Sequence, residues 1–340
     1  MSIVILNYDT LHLVEACLQS IDQFKPNFDY EIILVNNGSK RDTAEQLRAL
    51  SPDALILDLP SNVGYGRANN YGVMWAQGEY LLLLNSDTYY IDESLDILMA
   101  FALRHPDLDI IGCDVRNPDL TVQESTHKAY PNAIGRELLQ RGKEENIFCK
   151  RFVSDHRSVL PKKHYLALYG CQMLVKRSVF EATGGIDPDF FLYFEETEWF
   201  YRRLLPDGYK VGVCPQAQVV HIGKASQDPA EAGYQYLLSQ YLFYYKHHPV
   251  YFVAWVLVSF FNLVSAAVGP LVLPKYLSLN RDFISLRRQV LEQAIWDVPR
   301  FPSGFGKRST PLMGPSVVWR DFSTEEIEVL YPLCSDCGRG

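Results

Sequence analysis

Tyr80-Leu81-Leu82-Leu83-Leu84-Asn85-Ser86-Asp87-Thr88 is the stretch that decides the fold. An unbroken apolar run ends abruptly in short polar residues. A run without polar alternation reads as a strand covered on both faces, the pattern of a parallel sheet. In such sheets ligands bind just beyond the carboxyl ends of the strands, which is where Asp87 falls. A carboxylate there can hold Mg2+ or Mn2+, hard cations that bind through one or two carboxylates plus substrate phosphates. Read alone, Asp87 or Ser86 serves equally well as the N-cap of the next helix.

Working outward, similar apolar or β-branched runs occur at residues 3–6, 31–35, 54–57 and 109–113, besides 80–84. Helical patterns separate them at about 11–23, 43–50, 66–76 and 94–105. This alternation predicts an α/β fold, a mostly parallel central sheet with helices on both faces. The residues that follow the runs are then the ones to inspect. They are Asn7-Tyr8-Asp9, Asn36-Asn37-Gly38-Ser39 and Asn85-Ser86-Asp87. Such residues are common turn formers. Three such loops at one sheet edge also make a nucleotide crevice. Further on, 167–175 and 209–213 read as strands, as does 217–221. Residues 178–183 read as a short helix ended by Gly184-Gly185, and another helix starts near Glu195.

The bulk numbers narrow the function classes. The chain has 340 residues, 48% of them hydrophobic, enough for a sizeable core. A net charge of −8 argues against general nucleic-acid binding, which needs a basic surface. Seven scattered cysteines fit reduced thiols in the cytoplasm better than a secreted disulfide scaffold. Cys334 and Cys337 supply only half of a zinc site. No G-x-G-x-x-G follows the first strand, which weakens a dehydrogenase reading. Met1-Ser2 runs straight into the first apolar run, with no basic region or cleavage site of a signal peptide.

Three more segments carry candidate chemistry. Asn62-Val63-Gly64-Tyr65-Gly66-Arg67-Ala68-Asn69-Asn70-Tyr71-Gly72 combines close backbone approach at glycine with a phosphate-pairing arginine. It is also an ordinary Gly-rich turn that feeds a helix. Phe190 to Trp199 is an aromatic stretch interrupted by Glu195, Glu196 and Glu198. Like charges so close, in aromatic surroundings, raise carboxyl pKa values toward the range of a general base. The plainer alternative is an acidic helix start favoured by the helix dipole. Last comes His221, at the end of an apolar strand, which is a metal ligand only if the fold returns it to Asp87.

Together these segments resemble the family-2 glycosyltransferases of the GT-A fold, the nucleotide-diphospho-sugar transferases, and especially their rhamnosyltransferase-like branch. The resemblance runs from Ser2 to about Ser226, with order and spacing in agreement. Asn85-Ser86-Asp87 is similar to the family's metal motif in its Asn-x-Asp form. Phe191 to Glu196 resembles the segment whose second acid is the catalytic base, and Val220-His221 the strand whose His joins the metal site. Two positions depart from the family. Asn36 stands where an Asp usually faces the nucleotide base, and Glu196 replaces the usual Asp.

The resemblance implies a metal-dependent, inverting hexosyltransferase that uses a dTDP- or UDP-sugar donor, rhamnose or a related hexose, and a saccharide or lipid-linked acceptor. Asp87 and His221 would hold Mg2+ or Mn2+. Glu196 would be the base, with Glu195 beside it. Asn7, Tyr8, Asn36, Asn62, Arg67, Asn70 and Ser86 would line the donor. Tyr193, Phe194 and Trp199 would form an acceptor platform. The division is then a catalytic domain at 1–226, a hydrophobic helical region at 227–298 and an irregular tail at 299–340.

Residues 251–273 hold no charged side chain. As a helix they would span about 35 Å, against a hydrocarbon core of about 30 Å. They read as membrane-embedded or membrane-surface, with a buried core helix as the alternative. Membrane attachment would place the enzyme on the inner face of the cell membrane, in cell-envelope polysaccharide assembly. The rival reading is a non-catalytic, membrane-attached binding or scaffold protein of the same fold. A pyrophosphorylase would need a Gly-rich basic loop where Asn7-Tyr8-Asp9-Thr10 stands, and a glycosidase needs no diphosphate site.

Overall fold

The computed structural model describes residues 1–123, 126–128, 166–204, 206–223 and 229–247, with a few isolated residues from 249 to 257. β1 (Ser2–Asn7), β2 (Glu31–Asn37), β3 (Leu55–Leu59) and β4 (Tyr80–Asn85) alternate with α1 (Leu11–Gln23), α2 (Ala44–Leu50) and α3 (Tyr65–Met74). Next come β5 (Thr88–Tyr89), α4 (Ser94–Arg104) and β6 (Ile110–Arg116). β7 (Thr126–Lys128) and β8 (Leu166–Leu168) form a small antiparallel pair. They are followed by β9 (Gln172–Lys176), α5 (Arg177–Thr183), α6 (Glu195–Trp199), β10 (Val211–His221) and α7 (Pro229–His247).

The main sheet has the strand order β3-β2-β1-β4-β9-β6-β10-β5. Its strands are parallel except β9 and β5, so the expected mostly parallel α/β sheet is what forms. Alternation along each strand sorts side chains between two cores. Val4, Leu81 and Leu83 pack on one face with Ala68 and Val73 of α3 and with Val179 and Phe180 of α5. Ile3, Ile5, Leu82 and Leu84 pack on the other with Val14 and Ile21 of α1 and Leu98 and Phe101 of α4. Local signals agree with these positions. Thr43 and Gln46 close a capping box on α2, and Gly184 caps α5 in the left-handed region.

Two elements differ from the sequence expectation. Residues 209–213 and 217–221 are not two strands but one, β10, with a register shift between Cys214 and Gln218. Pro215 falls inside the shift, where a missing N–H costs no ladder bond. Residues 167–175 split at Gly170-Cys171 into β8 and β9. β9 then enters the sheet antiparallel between β4 and β6.

α7 packs against the chain before α6. Leu238, Leu242 and Phe243 form a third apolar cluster with Phe190 and Phe194. Lys246 of α7, almost fully buried, pairs with Asp187 at 2.9 Å and Asp189 at 2.5 Å. Among the described residues, no helix is long and apolar enough to cross a membrane. Apart from Phe252, Val253, Val256 and Leu257, the apolar segment 251–273 lies outside the described residues, as do Cys334, Cys337 and the tail 299–340. Cys17, Cys113, Cys171 and Cys214 are free, buried thiols.

Candidate active site

The strand order reverses at β1: β2 and β3 lie to one side and β4 to the other. Such a switch point leaves a crevice at the carboxyl ends of the two strands. Thr10 Oγ1 and Ser86 Oγ approach to 3.3 Å across it. Parallel pairing aligns the strand ends into a polar rung. Asn85 is opposite Leu6, Asn7 opposite Asn36, and Asn36 opposite Asp58.

Parallel pairing also explains how residues far apart in sequence meet. β4 and β10 both end at this edge. β5 runs back antiparallel along β10, with Thr88 opposite His221, and the Ile222 N–H donates to the Asp87 carbonyl at 2.9 Å. The result sets His221 Nε2 3.4 Å from Asp87 Oδ1, both side chains partly accessible. One carboxylate oxygen and one imidazole nitrogen suit a divalent cation such as Mn2+ or Mg2+. Among the described residues no third His, Cys, Asp or Glu joins them, so donor phosphate and water would complete the shell. Asn85 Oδ1 nearby is buried without a hydrogen-bond partner, the kind of atom that a ligand or water satisfies.

The acidic loop is held against the start of α3. The Tyr65 N–H donates to the Phe191 carbonyl at 2.8 Å, and the Tyr65 hydroxyl to the Gly170 carbonyl at 2.5 Å. Gly64 makes this approach possible. Its φ is +84°, and a Cβ there would lie 2.4 Å from Phe191 O. Tyr193 and Phe194 both adopt positive φ just before α6, which turns the chain sharply into the glutamates. Cys171, whose carbonyl accepts from the Asn85 N–H at 2.9 Å, feels both sides of the site. Its thiol is pushed up to about 12, first by burial, then by the negative charge of Asp87 and, less, of Glu196. The charges of Asp87 and Glu196 thus both act on this one buried thiol.

The three glutamates have different environments. Glu196 is partly accessible, and burial pushes its carboxyl up to about 7 against backbone hydrogen bonds that lower it. Glu195 is 5% exposed, and burial followed by the charge of Glu196 holds it well above the usual carboxylate range. Glu198 is fully buried, ion-paired with Arg202 Nε at 2.7 Å and in hydrogen-bond contact with His247 Nε2 at 3.1 Å, both on the same oxygen. It ties α6 to α7.

Several expected ligand residues are placed elsewhere. Trp199 does not belong to an acceptor surface. It is fully buried, edge-on to Phe180, with its indole N–H donated to Thr183 at 3.0 Å. Phe194 is also buried, in the cluster with Phe243, so only Tyr193 of the three rings keeps accessible area. Arg67 is buried, and its Nε donates to the Pro188 carbonyl at 2.9 Å instead of facing the crevice. Asn70 clips α3 to Ile186 through both amide atoms, at 2.7 and 3.1 Å. Asn62 accepts from Gly64 and Asn37 within the turn. Asn7 is buried and ties together Asn36, Asp42 and Thr10. Asn36 donates to Asp58 at 2.8 Å. Tyr8 and Ser86 are partly accessible. Sequence reading missed Asp42, Asp58 and Gln123. For Asp58 the signal was present, an apolar run ending in a carboxylate.

Trp199→Ala is expected to lower stability by about 3–5 kcal/mol, the usual cost of truncating a buried large aromatic. A denaturant midpoint unchanged from wild type would place the ring outside the core.

Residues 2–183 match the profile of the family described as Glycosyl transferase family 2. The chain belongs to that family. It is a glycosyltransferase, and the sheet just described is of the GT-A type. A Mycobacterium tuberculosis N-acetylglucosaminyl-diphospho-decaprenol L-rhamnosyltransferase is 26% identical over 239 residues, 64% of this chain and 75% of that one. A low-salt glycan biosynthesis hexosyltransferase of Haloferax volcanii is 26% identical over 248 residues, 70% of this chain and 72% of that one. The mannosyltransferase of Pyrobaculum calidifontis, solved in complex with GDP-Man and Mn2+, shares the fold with a TM-score of 0.54 at 14% identity, over 87% of each chain.

Proposed function

We propose that this family-2 glycosyltransferase is a metal-dependent, inverting hexosyltransferase acting in cell-envelope polysaccharide assembly. The observation that carries the proposal is the placement of Asp87 Oδ1 3.4 Å from His221 Nε2. Asp87 and His221 would hold Mg2+ or Mn2+. When bound, such an ion supplies Lewis-acid stabilisation of the leaving diphosphate. Tyr8 and Ser86 border the donor, with Asn7 and Asn36 shaping the loops beneath it. The name of the rhamnosyltransferase relative favours rhamnose or a related hexose as the sugar, carried in this proposal on dTDP or UDP.

Glu196 takes the proton from an acceptor hydroxyl. The freed oxygen attacks the anomeric carbon in line, and the electron pair of the breaking bond leaves with the diphosphate. Glu195, whose charged form burial disfavours, orients Glu196 or binds the acceptor. Tyr193 offers the acceptor a partly accessible ring. A lipid-linked acceptor fits the name of the mycobacterial relative and the apolar composition of 251–273. On this reading residues 1–226 carry catalysis, 227–298 attach the enzyme to the inner face of the membrane, and 299–340 form a tail.

A base pushed up to about 7 predicts the pH dependence. The active form is deprotonated, so kcat/KM rises with pH, by about tenfold between pH 6 and pH 8, and levels above. A profile flat from pH 5 to 8 would mean that Glu196 titrates outside this range and is not the tuned base.

A further inference from the structure

We propose that Gln123 is a positioning residue that fixes the tautomer of His221, through a hydrogen-bond chain polarised from Asp119. The inference rests on the reading of Asp87 and His221 as the metal pair, and extends it to residues outside that pair.

The chain begins in the hairpin that follows β6, closed by backbone bonds from Asn117 to Thr121 and from Gln123 to Val115. The Asp119 carboxylate only accepts hydrogen bonds when ionised. Its carboxyl is held below the usual range, chiefly by the Thr121 hydroxyl and backbone N–H that donate to it. The Thr121 hydroxyl donates to Asp119 Oδ1 at 2.5 Å. Its single proton is then committed, so it must accept from Asn117 Nδ2, at 3.0 Å. That sets the amide of Asn117 with Oδ1 toward Gln123, whose Nε2 donates to it at 2.9 Å. Gln123 therefore presents Oε1, an acceptor, to His221 Nδ1 at 2.6 Å. An acceptor there requires Nδ1 to carry the proton. In neutral imidazole this leaves the lone pair on Nε2, the nitrogen that faces Asp87. Each link follows from the previous one, and the end point is the tautomer that a metal ligand needs. Partners of this kind orient ligating histidines and raise their basicity.

Gln123 lies 98 residues from His221 in sequence. A Gln123→Leu side chain fills similar space but cannot accept. Gln123→Glu still accepts from Nδ1.

The test reads the tautomer and the metal separately, on the full chain. Nitrogen NMR of 15N-histidine-labelled protein at pH 8, without metal and with His221 assigned by the loss of its signals in His221→Gln, reports which ring nitrogen is protonated. The expected wild-type result is protonated Nδ1, retained in Gln123→Glu and lost or mixed in Gln123→Leu. Calorimetry with Mn2+ and UDP is expected to show about 10–100-fold weaker Mn2+ binding for Gln123→Leu, with Gln123→Glu close to wild type. Protonated Nε2 in wild type overturns the proposal, and so does a Gln123→Leu variant with unchanged tautomer and Mn2+ affinity. The wild-type spectrum decides even if a variant fails to fold. If Asp87→Ala leaves Mn2+ affinity intact while Nδ1 is protonated, the metal reading fails and the tautomer assignment stands.

Discussion

Glu196→Gln is expected to lower sugar transfer by about 10²–10⁴-fold, the range of general-base catalysis, while leaving donor and Mn2+ binding unchanged. The change removes one function, proton acceptance, and preserves side-chain length and shape. The loop that carries Glu196 is secured by contacts the substitution does not touch. Tyr65 holds Phe191, Asn70 holds Ile186, and Lys246 holds Asp187 and Asp189. Loss of rate therefore reports chemistry and not collapse of the loop. Glu195 is not expected to take over, because it is buried and burial disfavours its charged form. Single-turnover transfer and nucleotide calorimetry on the same variant check both halves. Wild-type transfer by Glu196→Gln would remove Glu196 from the mechanism.

Asp87→Ala is expected to abolish the dependence of nucleotide binding on Mn2+. Disturbing even the residues that support a metal ligand costs about 10–100-fold in affinity, so loss of a ligand itself costs at least about 100-fold. The site offers no replacement among the described residues, since no group of three potential ligands surrounds it. His221 alone would remain, still hydrogen-bonded to Gln123 at 2.6 Å. Calorimetry of UDP with and without Mn2+ gives the result. Equal affinity in wild type and variant, both with the metal, would contradict the assignment.

Much of this architecture is legible in the sequence because burial on both faces leaves apolar runs such as Leu81 to Leu84. Strand ends can then be counted, and the residues after them inspected. Asp87 was identified that way. The glutamates stand out as close carboxylates in an aromatic stretch, and the roles of Glu196 and His221 follow from order and spacing against a known family. What the sequence does not carry is direction. Polar residues at turns look alike whether they face a ligand or a neighbour. Asn70 and Arg67 satisfy partners at Ile186 and Pro188, more than a hundred positions away. The aromatic stretch hides the same ambiguity. Two consecutive positive-φ residues rotate the chain at Tyr193 and Phe194, and this sends Phe194 and Trp199 into the interior. No periodicity signals such a turn at non-glycine residues. The antiparallel direction of β9 is hidden for a related reason: an antiparallel strand inside a parallel sheet is as apolar as its neighbours.

Metal-dependent transfer with inversion is read out in a single assay. Purified full-length protein is incubated with dTDP-rhamnose or UDP-glucose and Mn2+, and the first-formed sugar product, transferred or hydrolysed, is followed by proton NMR. Donor consumption is expected to be abolished by EDTA, with the new anomeric signal opposite in configuration to that of the donor. Retained configuration, or consumption indifferent to EDTA, would contradict it.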